Sequence, residues 1–107
     1  MGRAEKINLS RFFGFFEMPP KIQARIIRIM ELMEKHGANL GEPHTKALGE
    51  ELFEIRAKAK EGIGRGIFCY AQGKKIIILH VFVKKDQKIP KKDLELAKER
   101  LKEVKKS

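Results

Sequence analysis

The sequence predicts an α+β domain: a small antiparallel β-sheet of three or four strands, with an N-terminal helical hairpin before it and a C-terminal helix after it. Three observations carry that expectation. Apolar residues recur at helical spacing ahead of Gly37, alternate with polar ones from Phe53 onward, and return to helical spacing after Pro90. Helices and strands that are grouped along the chain, rather than alternating, describe a sheet with helices packed on it.

Taken in order, Ala4 to Ile7 reads as a short opening strand, and Asn8 as a helix cap whose side chain accepts from the first free N–H groups. Leu9, Phe12, Phe13 and Phe16 fall at i, i+3, i+4 and i+7, one face of a short helix that Gly14 weakens and Pro19-Pro20 ends. With Arg11 as the one cation inside it, that phenylalanine cluster reads as core rather than as a base-stacking platform. Pro20 suits the first turn of a second helix, whose stripe is Ile22, Ile26, Ile29, Met30 and Met33 and whose stop is Gly37. Ala38 to Lys46, with Gly41 and Pro43, is expected to be a loop.

Phe53, Ile55 and Ala57 then alternate with Glu54, Arg56 and Lys58, a half-buried strand with a polar face. Ile63 to Ala71 and Lys75 to Val83 form two further strands joined by a Gln72-Gly73 turn, and IIILHVFV, apolar on both faces, is expected at the centre of the sheet. Pro90 opens the last helix, with Leu94, Ala97, Leu101 and Val104 as its apolar stripe.

The 107 residues suffice for a single domain spanning 1–107. The eight-residue run Ile76 to Val83 is far short of the roughly 20 apolar residues that span a bilayer. Glu5 and Glu17 bracket the N-terminal apolar patch and no small-residue cleavage site follows, so a cytoplasmic protein without a membrane partner is expected. One cysteine, Cys69, leaves no internal disulfide framework. Lys+Arg number 24 against Asp+Glu 14, a net +10, and the excess is uneven: +1 over residues 1–51, +4 over 52–83 and +5 over 84–107. An acidic partner follows from that balance.

The glycines around Arg65 lack dinucleotide-fingerprint spacing, and no Walker-type phosphate loop occurs. His36, His44 and His80 lack metal-ligand spacing, so neither a metal nor another cofactor is expected. Two serines, Ser10 and Ser107, offer no serine nucleophile, and Cys69 within a strand reads as a small buried hydrophobe. What remains is a set of cations on the sheet. Arg56 and Lys58 share one phase of their strand, Arg65 sits between glycines that would let a ligand approach the backbone, and Lys84, Lys85 and Lys88 leave the end of the last strand. If the strands pair in hairpin order, these groups converge on a groove suited to a phosphodiester, where fixed cations stabilise charge on its oxygens.

The stretch KALGEELFEIRAK, then GIGRGIFCY, then AQGKK, then IIILHVFVKKDQKIPKKDLELAKER resembles the RelE/HigB family of toxins from type II toxin–antitoxin systems, in its phage- and plasmid-derived branch. The similarity covers about residues 4–104. It implies a RelE-like β-α-α-β-β-β-α fold and a ribosome-dependent endoribonuclease that cuts translated mRNA without a metal. By motif position Arg56, Arg65, Lys84 and Lys85 look catalytic, and Lys58 and Lys88 look like RNA contacts. The implied partners are the ribosome with its mRNA and a cognate antitoxin of helix-turn-helix type. The chain departs from relatives that carry a tyrosine in the C-terminal segment, since Tyr70 lies on a strand; the general base is therefore open, with a lysine of the cluster and His80 as options. Asp86 stands where relatives often have an uncharged residue. The competing reading is non-enzymatic: a toxin of the same fold that binds a protein target such as gyrase, or a plain RNA-binding module.

Overall fold

The computed structural model describes residues 7–8, 17–37, 40–60, 62–71, 75–85 and 88–106. Among them the elements run β1 (Ile7–Asn8), α1 (Pro20–His36), β2 (Thr45–Gly49), β3 (Leu52–Ala59), β4 (Gly62–Ala71), β5 (Lys75–Lys84) and α2 (Lys91–Lys106). The sheet order is β1-β5-β4-β3-β2, in which β2 to β5 form a four-stranded antiparallel meander and β1 pairs in parallel with β5. The α+β class is therefore the one the sequence predicts. The short first helix with its phenylalanines, the Gln72-Gly73 turn and Asp86 lie outside the described residues, and Asn8 belongs to β1.

Helix α1 forms where the proline and glycine punctuation places it. Pro20 occupies its first turn, and the Gly37 N–H closes its end by donating to the Met33 carbonyl at 2.8 Å with φ 100°. Its stripe of Ile22, Ile26, Ile29, Met30 and Met33 is buried against Ile55, Ala57, Phe68, Ile76, Ile78 and Val81. Ala97 and Leu101 of α2 pack instead with Leu52, Ile67, Cys69 and Leu79. The two helices thus cover opposite faces of one sheet, because successive strand residues point to opposite sides.

A bulge in β5 modifies that alternation. Ile67 pairs with His80 but Phe68 pairs with Ile78, leaving Leu79 as the extra residue. Leu79 joins the α2 cluster, and His80 reaches α2 as well, with Nε2 2.7 Å from Asp93 Oδ1. Arg100 donates to the Leu79 carbonyl at 2.6 Å, so α2 is tied to the bulge at two points.

Three expectations differ from the structure. The segment ending at Lys46 is not all loop, because β2 starts at Thr45 and pairs with β3 around a turn at Glu50 and Glu51, whose φ values are 53° and 70°. Such angles normally select glycine or asparagine, and here only the preceding Gly49, at φ 90°, marks the turn in the sequence. The centre of the sheet is β4, since β1 covers the outer edge of β5. Finally, the polar face of β3 is closed rather than wet: Glu54 is buried and Arg56 half-buried.

Candidate functional site: cations on the open end of the sheet

The strand register decides which of the expected cations meet. Arg56 of β3 lies opposite Arg65 of β4, and Arg65 lies opposite Phe82 of β5. The next row outward is Lys58, Ile63 and Lys84. Directly opposed residues share a face, so Arg56, Arg65, Lys58 and Lys84 all belong to the α2 side of the sheet. Lys84 is the last paired residue of β5, and the exposed Lys85 and Lys88 follow it beyond the sheet.

Between the arginines sits a residue the sequence reading did not single out. Glu54 is in phase with Arg56 and diagonal to Arg65, with Oε2 3.4 Å from Arg65 Nε and Oε1 3.7 Å from Arg56 Nε. Its side chain is 4% exposed, and that of Arg65 is 0% exposed. Burial raises the Glu54 carboxyl above its ordinary range, while Arg65, Arg56 and Lys46 pull it down less strongly. A signal was present in Leu-Phe-Glu-Ile-Arg: an acid two residues before an arginine on a strand must share its face.

Arg65 itself departs from the expected picture. It does not offer its guanidinium to solvent; it lies beneath the surface against Glu54, and Arg56 is the more exposed of the pair. The flanking glycines also serve another purpose than ligand approach. A Cβ on Gly64 would fall inside the radius of Ile22 Cγ2 and lie 3.2 Å from Ile26 Cδ1, so Gly64 lets α1 close on β4. Gly66 has ordinary clearance, 3.6 Å to Val81 Cγ1.

Other candidates fall away on geometry. His80 is held by Asp93 through Nε2 and stacked on Phe82 at 5.1 Å, so its ring is tied to α2. Tyr70 packs edge-on against Phe53 and Phe68 on the α1 face, across the sheet from Arg65. Cys69 is buried, and burial pushes its thiol up to about 11, so it is no nucleophile at neutral pH. No group of three or more His, Cys, Asp or Glu that could hold a metal occurs among the described residues.

Arg56 and Lys58 also line a cleft of about 300 Å³ at the edge between α1 and β3, together with Arg25, Arg28 and His44. Sequence pattern assigns these three no role, because Arg25 and Arg28 fall on the outer phase of an amphipathic helix, where cations read as solvated.

The described residues thus form a basic antiparallel sheet with helices on both faces and two arginines opposite each other on one strand row. The family model described as phage-derived protein Gp49-like (DUF891) matches residues 14–102. The chain belongs to that family, one of RelE-like toxins of toxin–antitoxin systems. No curated protein matches the chain.

Proposed function

We propose that the chain is a RelE/HigB-type mRNA endoribonuclease that acts at the ribosome, without a metal, and is neutralised by a cognate helix-turn-helix antitoxin. The observation that carries this reading is the register: two arginines face each other on one row, and two lysines occupy the next row on the same face. A phosphodiester laid over that end meets Arg56, Lys58 and Lys84 within two strand rows. The 2′-oxygen attacks the adjacent phosphorus and the bond to the 5′-oxygen breaks. The 2′-hydroxyl loses a proton and the leaving 5′-oxygen gains one, giving a 2′,3′-cyclic phosphate and a 5′-hydroxyl. Cations help because negative charge grows on the phosphate oxygens in that step, and a guanidinium held in place needs no reorganisation.

In this reading Arg56 touches the phosphate. Glu54 and Arg65 fix its orientation from below, which a buried carboxylate between two guanidinium groups is suited to do. Lys84 and Lys85 border the reacting phosphate, and Lys58 and Lys88 hold the flanking RNA.

Expression without antitoxin is the test. Growth arrest with cuts mapped to codons in the ribosomal A site, both abolished by Arg56→Ala, is the expected result. One observation favours the binding-only alternative, the complete burial of Arg65. Growth arrest with intact mRNA and impaired DNA supercoiling would establish that alternative instead.

A further inference from the structure

The cleft between α1 and β3 lies outside the roles assigned so far to the sheet face. Four cations line it: Arg25 and Arg28 one helical turn apart on α1, and Arg56 and Lys58 two residues apart on β3. His44 adds a ring with hydrogen-bonding nitrogens, and none of the lining residues is acidic. Compensation comes from outside the lining: Arg56 lies 3.7 Å from the buried Glu54, and at the rim Arg28 lies 4.0 Å from Glu31 with both side chains well exposed, a pair of little strength. Ile29, Pro43 and Ala57 supply an apolar floor.

The cleft exists because β2 stops short. The last contact along that edge is Arg56 N–H donating to the His44 carbonyl at 2.9 Å, after which β3 runs on through Ala57 to Ala59. Helix α1 packs on the Ala57 side of that uncovered edge while Arg56 and Lys58 leave β3 toward the other side, so cations from both faces of the sheet line the cleft at the edge.

We propose that this cleft binds one nucleotide unit of a single-stranded RNA, with its phosphate between Arg25, Arg28 and Lys58 and its sugar or base on the apolar floor. A volume of about 300 Å³ is at the size where pockets begin to take small organic ligands, larger than an isolated phosphate needs. Arg56 belongs both to the cleft and to the arginine row, so the bound nucleotide lies next to the one over Arg65 along a strand. The inference deepens the nuclease reading by adding a flanking subsite. It concerns binding alone, so a protein that never cuts RNA could still satisfy it, and a nuclease that ignores the cleft would still fail it.

The test uses the full chain and a labelled 2′-O-methyl RNA, which has no hydroxyl with which to be cut. Arg25→Glu/Arg28→Glu is expected to weaken binding at least tenfold at about 0.15 M salt and to reduce the slope of log K against log salt by about 0.7, one phosphate's worth. A Lys102→Glu/Lys106→Glu control, with the same change in net charge on exposed α2 positions, is expected to stay within threefold of wild type with its slope unchanged. Circular dichroism and melting establish that both variants fold, and Arg25→Gln/Arg28→Gln repeats the comparison without charge reversal. A nucleoside monophosphate is expected to displace the RNA at lower concentration than inorganic phosphate.

Unchanged affinity in both α1 variants, or an equal loss in the control, overturns the site. Equal competition by inorganic phosphate overturns its assignment to a nucleotide. Intact RNA binding with loss of antitoxin binding reassigns the cleft to an acidic protein segment.

Discussion

At Glu54 one carboxylate faces two guanidinium groups while almost shut off from water, and the balance of those forces is measurable. Its carboxyl is raised because burial outweighs attraction to Arg65, Arg56 and Lys46. A group whose folded value lies above its unfolded one adds stability that is fully present at low pH and is lost as pH rises through the folded value. Glu54→Gln is neutral throughout, so it should gain stability relative to wild type as pH rises from about 4 to about 7. Urea denaturation across that range checks this, and a glutamine variant that loses ground with rising pH would show that the arginines dominate. The arginines separate by a different measurement. Arg56→Ala should lower cleavage by about 10²- to 10³-fold and lower the melting temperature less than Arg65→Ala does, since the Arg56 side chain is 15% exposed. Arg65→Ala should lower both, costing on the order of 3 kcal/mol, because it leaves a buried carboxylate beside a cavity. Equal stability loss in the two variants would contradict this division of roles.

The elements differ in how much their sequence declares. Helix α1 was legible to the residue because Pro20, Gly37 and a five-residue apolar stripe all report the same helix. Strand β3 was legible as a strand but not as a buried one: alternation marks Glu54 and Arg56 as polar without saying that Glu54 lies buried between Arg56 and Arg65 of β4. Strand β2 was hidden because its turn places two glutamates at positive φ, and their stabilising partners are remote, Lys98 for Glu50 at 2.8 Å and Lys105 for Glu51. Gly64 shows the same limit. In sequence it looks like a place for a ligand, and only the fold reveals α1 above it. Gly64→Ala should therefore push Ile22 out of its seat and destabilise the protein by about 1–3 kcal/mol, whereas Gly66→Ala should cost less. Chemical denaturation of both variants checks the contrast, and equal costs would mean that α1 does not sit as closely on β4 as described.

Across the whole molecule the +10 charge does two separable things. Summed by segment, the first 51 residues are nearly neutral, yet the fold draws Arg25 and Arg28 out of that segment and sets them beside Arg56 and Lys58. Segment sums therefore misplace the site, since what matters is which cations the register and the helix crossing bring together. The remaining cations act as a field. Lys105 contacts Glu51 at the turn where β3 begins, so the C-terminal end of α2 lies at the opposite end of β3 from Lys58, six residues and roughly 20 Å away. Lys102 and Lys106 on that end are too far to touch a phosphate held at the cleft or the arginine row. At that distance a charge is felt only when salt is low, because the screening length is about 10 Å at 0.1 M and about 30 Å at 0.01 M. Neutralising both lysines should slow RNA association at about 0.01 M salt and have almost no effect near 0.15 M. Lys58→Ala should instead weaken binding at every salt concentration and lower the salt slope by about 0.7, one phosphate released from contact. Stopped-flow association and equilibrium titration over the same salt series distinguish the two, and a slope change on the α2 end would place the RNA on that end of the molecule.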